Sequence, residues 1–305
     1  MKKILCFRNS KLGDYLISIP SLKLIREKYP NCKIYYLTVR SKNYVRLPKK
    51  INEITIVDEF IYFRNNFKNY LNLIKFLKSH KFEIFYYLNE KTNKVREIRD
   101  FIFFNLIGIN YMHGFFKKKL NYSNNNETFQ LAKRIDNNIS KSKIFKLNFI
   151  KKNKKKPIYN SNYITISIGG FSQPKLWNIQ NWSNLIDMII KTKNCKILIL
   201  GTKEDLRNSK ILSSKNRKKI FSLCGKTSLN EIFNLIENSK LHITNDNGTM
   251  HIASLFSKKT ICLFNNHDPF GKWHPSNKNA IIFRSNKGVN GINPFKVFKR
   301  LFNFI

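Results

Sequence analysis

The sequence predicts an α/β fold: two doubly wound domains with parallel sheets facing a central cleft. Three observations carry this. Short apolar runs alternate with longer stretches of helical periodicity along the 305 residues. The runs lack clean period-two alternation, which marks strands buried on both faces, and the helices between them imply parallel crossovers. The rhythm fades near the middle of the chain and then restarts, which divides it into two halves.

In the first half, Lys3–Phe7 reads as a strand. Asp14–Tyr29 reads as a helix, with Leu16, Ile17, Ile19, Leu22, Leu24 and Ile25 on or near one face, and Pro30–Asn31 stops it. Lys33–Val39 is the next strand and Glu53–Val57 another. Phe67–Ser79 is helical, Phe82–Leu88 a strand, and Thr92–Ile107 a helix that ends at Gly108. Asn121–Asn126 is polar, and a helix spans Glu127–Asn137. The lysine run Ile150–Asn162 has no apolar face and reads as a linker, giving domains 1–155 and 156–305.

The second half restarts at Tyr163–Ile168, a strand running into Gly169–Gly170. Trp182–Thr192 is helical, and Lys196–Leu200 and Lys219–Leu223 are strands. Ser228–Asn238 is a helix with Ser228 as N-cap and Glu231 completing a capping box. Leu241–Thr244 is a strand, Thr249–Phe256 a helix, and Thr260–Phe264 the last clear strand. Asn293–Phe302 is the closing helix, a candidate to pack back on the first domain.

Hydrophobic residues make up 42 % of the chain, enough for a core in each half. The charge is lopsided: 57 basic against 18 acidic residues, a net +39. Such a surface attracts polyanions, whether nucleic acid, an anionic membrane face or phosphorylated substrates. Lysine, asparagine, isoleucine and phenylalanine abound throughout, which also fits a compositional bias and a plain solvated basic surface. No RNP, zinc-finger or KH signature is present. The five cysteines form no CxxC pair and read as buried reduced thiols of a cytoplasmic protein. The apolar start is cut short by Arg8, Asn9 and Lys11, unlike a signal peptide, and no run reaches the roughly 18 apolar residues of a membrane span.

Four stretches can carry chemistry. In "KLGDYL", Gly13 allows close backbone approach where strand turns into helix. Asp14 is then either a first-turn acid stabilised by the helix or a general base at the lip of a cleft. A carboxylate is a weak base, which suffices when the proton leaves late. In "GGFSQPKLWNIQNW", a glycine turn followed by Lys175 can hold a phosphate, and the alternative is one lysine among many. In "HITNDNGTMHIAS", a helix amino terminus behind Gly248 is an anion site, with Asn247 and Thr249 as side-chain donors and Asp246 as an acceptor for sugar hydroxyls. His251 lies in the first turn, facing cleft or core. In "FNNHDPFGKWHP", His267, Asp268 and His274 raise the idea of a metal, but the spacing is wrong for zinc.

As a set and in order, these segments resemble glycosyltransferase family 9, the heptosyltransferases of lipopolysaccharide core synthesis. "KLGDYLISIPSLKLIREKYP" resembles the family's amino-terminal segment, "GGFSQPKLWNIQNW" its lysine-x-tryptophan segment, and "NDNGTMHIAS" its nucleotide segment, with Asn247 where threonine or serine is common. "DPFGKWHP" resembles the loop that follows. The resemblance implies a GT-B fold and inverting, metal-independent transfer without a cofactor. The donor would be a nucleotide-diphosphate sugar resembling ADP-heptose, and the acceptor an anionic glycolipid. It implies that Asp14 is the base, with Lys11 and Gly13 on the acceptor side. Lys175 would balance the leaving diphosphate. Asn247, Gly248 and Thr249 would hold phosphates, Asp246 sugar hydroxyls and Glu204 the ribose, with His251 supporting them. The expected protein is a cytoplasmic monomer, peripheral on the inner membrane face. The competing readings are a basic nucleic-acid-binding α/β protein and a catalytically silent nucleotide-sugar binder. The residues of interest lie outside the basic runs, which favours the transferase.

Overall fold

The computed structural model describes residues 1–39, 46–64, 66–90, 93–117, 121–123, 125–151, 157–159, 162–170 and 173–301. The chain separates into two compact units, Met1–Ile150 and Lys151–Ile305. Much of the lysine run expected as a linker (152–156, 160 and 161) lies outside the described residues.

In unit 1 the elements run β1 (Lys2–Phe7), α1 (Leu12–Lys28), β2 (Cys32–Val39), β3 (Lys50–Ile51), β4 (Ile54–Thr55), β5 (Glu59–Phe63), α2 (Phe67–His80), β6 (Ile84–Tyr87), α3 (Lys94–Leu106), β7 (Tyr111–His113), α4 (Glu127–Ile135) and α5 (Lys141–Asn148). Five strands form a parallel sheet in the order β5-β2-β1-β6-β7. Ile4, Leu5, Cys6 and Phe7 of β1 and all four residues of β6 are apolar and buried, as a sheet covered on both faces requires. Leu24 of α1 packs with Phe129 and Ala132 of α4 and with Ile144 and Leu147 of α5.

The expected strand Glu53–Val57 is corrected. Asn52 and Glu53 have φ of +46° and +70°, so the chain reverses there. Only Ile54 and Thr55 pair, in a small antiparallel hairpin with Lys50–Ile51. The strand that joins the main sheet is β5, a few residues later, and its first four positions are only half-buried. Strand β7 and helix α5 were not anticipated, being short and polar.

In unit 2 the elements run β8 (Tyr163–Ser167), α6 (Ile179–Thr192), β9 (Lys196–Leu200), α7 (Leu206–Ser214), β10 (Ile220–Ser222), α8 (Leu229–Asn238), β11 (His242–Asn245), α9 (Gly248–Leu255), β12 (Thr260–Phe264), β13 (Ala280–Arg284) and α10 (Pro294–Leu301). The six strands are parallel in the order β10-β9-β8-β11-β12-β13, the order of a dinucleotide-binding sheet. Ser228 caps α8 and Glu231 completes the capping box, as its sequence predicts. One expectation is corrected. Thr260–Phe264 is not the last strand: β13 pairs with β12 as a half-buried edge. The closing helix packs into its own unit, with Val297, Phe298 and Leu301 in the core beneath α6.

In each sheet the strand order reverses at its first strand, at β1/β6 and at β8/β11. In doubly wound folds ligands bind beyond the carboxyl ends of strands at such points. The expected site residues lie there, save Glu204, which follows β9.

Candidate active site

In unit 1 the loop Arg8–Lys11 leaves the carboxyl end of β1. Its backbone is fixed by neighbouring strands: Asn9 N–H donates to Asn89 Oδ1 (2.6 Å) beyond β6, and Ser10 N–H to Thr38 Oγ1 (2.9 Å) on β2. Lys11 is the N-cap of α1, so the helix begins at Leu12. That corrects the place of Gly13. It lies inside the first helical turn, not in the turn before it, and has no left-handed φ.

Asp14 is the third residue of α1. Its Oδ2 accepts the Lys11 backbone N–H (3.2 Å), and its Oδ1 faces Nη2 of Arg8 (3.4 Å). It therefore caps the helix. Its side chain is still 32 % exposed, and a carboxylate has lone pairs beyond those two contacts. Lys11 is exposed at the mouth of this loop; partial burial pulls its ammonium down, with Asp14 opposing.

Arg8 is the residue the sequence concealed. It is 1 % exposed, donates to the Leu88 carbonyl, and also faces Glu127 of α4 (3.7 Å). Arg134 lies 4.0 Å from the same carboxylate and donates to the Asn89 carbonyl. A buried cation just after an apolar strand was a usable signal, because such a charge must be paired.

In unit 2 the mouth of β8 and β11 is held by asparagines. Asn245 Nδ2 donates to the carbonyl of Ile168 (2.7 Å), and its Oδ1 accepts Trp177 N–H (3.3 Å). Trp177 also donates through Nε1 to the Ile292 carbonyl (3.1 Å), and Asn265 Nδ2 donates to the Pro174 carbonyl (3.2 Å). These bonds fix the turn that carries Lys175.

Lys175 points at two carboxylates. Its ammonium is paired with Asp246 on the β11–α9 loop and lies 2.9 Å from Asp268 Oδ2 on the loop after β12. Burial pulls its pKa down, but the charge and hydrogen bonds of Asp246 and then Asp268 outweigh this and raise it. The lysine thus stays protonated. Burial likewise pushes Asp268 up, but the hydrogen bond from Lys175 wins and lowers it. Two of the three ammonium donors are engaged. Asp268, weighed from sequence only as a metal ligand, is instead a partner of the site lysine.

Asn247 is the N-cap of α9, its Oδ1 accepting Thr249 N–H (2.9 Å) and the Thr249 hydroxyl (2.7 Å), and its Nδ2 donating to the Gly169 carbonyl (2.8 Å). The polar ends of Asn247 and Thr249 are therefore spent on protein groups. What α9 offers an anion is its first backbone amides, starting at Gly248, which have no intrahelical acceptors. Behind them lies His242, fully buried and absent from the sequence-based set. Its Nδ1 is 2.9 Å from Thr165 Oγ1 and its Nε2 2.9 Å from Thr249 Oγ1. A neutral ring satisfies both, and burial pushes the imidazole down to about 3. His251 is buried on α9.

Glu204 lies exposed on the short turn before α7. Hydrogen bonds from the Thr202 side chain and its own backbone hold its carboxyl below the ordinary range. The carboxylate nearest the glycine loop is Asp205. It accepts Thr202 N–H (2.8 Å) and lies where a Cβ on Gly169 would meet it at 2.5 Å.

The family model for glycosyltransferase family 9 (heptosyltransferase) matches residues 110–291. The chain is 31 % identical over 105 residues to the lipooligosaccharide heptosyltransferase 2 of Haemophilus influenzae, a match covering 32 % of this chain and 30 % of that protein. Among solved structures, the family 9 glycosyltransferase of Veillonella parvula matches 99 % of this chain and 97 % of its own at TM-score 0.75 and 16 % identity. The E. coli heptosyltransferase WaaC, solved with ADP, matches 99 % of this chain and 100 % of its own at TM-score 0.75 and 13 % identity. At such identities the likeness concerns the fold, which is GT-B: two Rossmann-like α/β units with parallel sheets.

Proposed function

This chain belongs to glycosyltransferase family 9, and from that premise we propose that it moves a heptose-like sugar from a nucleotide-diphosphate donor to a glycolipid acceptor of the lipopolysaccharide core. The observation that carries the donor half is a protonated lysine set between Asp246 and Asp268, beside the amino terminus of α9 at the switch point of unit 2. An ADP-linked sugar fits the reading, because relatives of this fold have been solved with ADP and with an ADP-heptose analogue.

In the proposed reaction the acceptor hydroxyl oxygen attacks the anomeric carbon from the face opposite the phosphate. The new C–O bond forms, the bond to the β-phosphate breaks, and the diphosphate leaves with the electron pair, so the configuration inverts. The hydroxyl proton passes to Asp14, whose remaining lone pairs can take it late in bond formation. Arg8 and the Lys11 amide hold the carboxylate in place. The charge growing on the diphosphate is met by Lys175 and by the first amides of α9, with no metal in the step; one such contact commonly lowers a barrier by about 3–4 kcal/mol. Asp246 takes sugar hydroxyls, Glu204 the ribose, and His251 supports the α9 turn. The acceptor is lipid-borne, so the enzyme works at the inner membrane face from the cytoplasm.

Nucleotide release from ADP-heptose, measured with and without a heptose-deficient core acceptor, tests this. Acceptor-dependent release that Lys175→Ala weakens is the expected result. Lack of thermal stabilisation by every nucleotide sugar tried would remove the donor assignment.

A further inference from the structure

The outer face of α3 is apolar and basic, with no acid on it. Val95, Ile98, Ile102 and Leu106 are 74, 48, 51 and 74 % exposed. At about 100° per residue their spacing makes one stripe, and Glu97, Asp100 and Phe104 form the buried face opposite. Both acids are engaged there: Asp100 accepts the Tyr87 hydroxyl (3.0 Å), and Glu97 accepts the Phe116 backbone N–H (2.6 Å). Lys94, Arg96 and Arg99 are exposed around the stripe, Arg99 also pairing with Asp100 (2.6 Å). A surface helix ordinarily turns its apolar residues inward; α3 shows apolar residues to solvent as well.

The loop after β7 extends this patch. Glu97 fixes Phe116 at φ +54°, a left-handed conformation that a bulky residue rarely adopts. The residue is 58 % exposed, and its ring lies 5.3 Å from that of Phe101 on α3. Strained backbone that presents an aromatic ring to water marks a working surface. Just past the other end of α3, Ile107 and Gly108 line a cavity of about 560 Å³ shared with Lys2, Lys78, Lys81 and the exposed Tyr111.

We infer that this face seats unit 1 on an anionic lipid bilayer. Helix α3 lies in the interface plane with its stripe inserted, and the lysines of the rim and the cavity meet head-group phosphates. Charge selects this occupant. A second copy would bring a basic rim against an identical one on a chain of net charge +39, whereas anionic head groups complement it. An apolar stripe flanked by Lys and Arg is the composition of an interfacial helix. The inference extends the membrane-side acceptor reading but does not rest on the transfer chemistry, and its test does not read turnover.

Co-sedimentation of the full chain with phosphatidylcholine vesicles, with and without phosphatidylglycerol, is the experiment. The parent should bind the anionic vesicles at least about tenfold more tightly than the neutral ones. The triple variant V95S/I102S/L106S changes only exposed side chains; its melting temperature should be unchanged and its binding weaker by at least about tenfold. Leu106→Trp should give emission that shifts to the blue when anionic vesicles are added. Equal binding of parent and triple variant overturns the inference, as does failure of the parent to bind. A dimer in vesicle-free buffer that the triple variant abolishes would assign the face to a second copy instead, and so overturns it too.

Discussion

Asp268 holds the Lys175 ammonium at 2.9 Å from the loop after β12, while Asp246 grips it from the loop after β11. The cation thus lies between two carboxylates, on which Arg284 and Lys272 also act, and part of its charge is answered before a diphosphate arrives. Asp268→Asn removes one of those charges. The donor should then bind more tightly, because less repulsion opposes it. Turnover should fall by about tenfold, because the lysine is less firmly placed. Steady-state kinetics with varied nucleotide sugar would show KM and kcat falling together. A rise in KM would mean that Asp268 contacts the donor favourably.

Asp14 does two jobs in the proposed mechanism, and they can be separated. Asp14→Asn keeps an oxygen to cap α1 but cannot take the acceptor proton. Its stability cost should be small, about 0.5–1 kcal/mol, whereas transfer should drop by about a thousandfold. Donor affinity should stay near the parent value. Full turnover in this variant would show that Asp14 is only a cap.

Arg8 serves the same carboxylate from beneath. Arg8→Met takes from the buried Glu127 the cation at 3.7 Å and leaves the more distant Arg134 at 4.0 Å. Breaking a buried pair from one side costs about 3–5 kcal/mol. Urea unfolding should show a loss of that size, read from the midpoint. A variant as stable as the parent would mean that Glu127 is neutral in the folded chain.

His242 predicts how stability follows pH. Its folded pKa is depressed to about 3, so the unfolded chain binds a proton below the ordinary histidine range that the folded chain refuses. The stability it confers is present above about pH 6.5 and is lost as pH falls toward 3. His274, pushed down to about 4 by burial, acts in the same direction over a narrower window. Each contributes a slope of about 1.4 kcal/mol per pH unit within its window. Urea midpoints at pH 7, 6 and 5 should fall less steeply for His242→Gln than for the parent. Parallel slopes would remove the histidine from the account.

Much of this was legible in the sequence where local chemistry decides. The buried strands, the Ser228 capping box and the helix start behind Asn247 follow from runs and caps that act within a few residues. The strands missed were those that tertiary pairing creates, and the helices missed, α5 and α7, are short and polar. Strand β13 is a half-buried edge whose pairing with β12 makes it a strand, and the hairpin at Asn52–Glu53 depends on two left-handed residues with no glycine to announce them. The residues named for the candidate sites lie at or just beyond the carboxyl ends of β1, β8, β9 and β11, but their partners were hidden. Arg8, Asp268, Asn245 and His242 matter through neighbours distant in sequence, such as Glu127, Lys175, Ile168 and Thr165. Likewise the resemblance pointed to Glu204, while the adjacent Asp205 is the one turned toward Gly169.

That last contact yields a test of the glycine loop. A Cβ on Gly169 would lie 2.5 and 2.6 Å from the two Asp205 carboxylate oxygens, and Asp205 Oδ2 is held by Thr202 N–H (2.8 Å) and Oγ1 (3.2 Å). Gly169→Ala must therefore push Asp205 off Thr202, undoing the cap of the turn before α7. A lost cap costs about 1–2 kcal/mol. The Gly169 carbonyl also accepts Asn247 Nδ2 (2.8 Å), so a shift of the loop should loosen α9 and weaken donor binding. Asp205→Ala alone loses the same cap without moving Gly169. Once Asp205 is gone the new methyl has room, so the double variant should cost less than the sum of the singles by about 1 kcal/mol. Urea unfolding of the four proteins measures this, and strict additivity would show that the glycine is not there for Asp205.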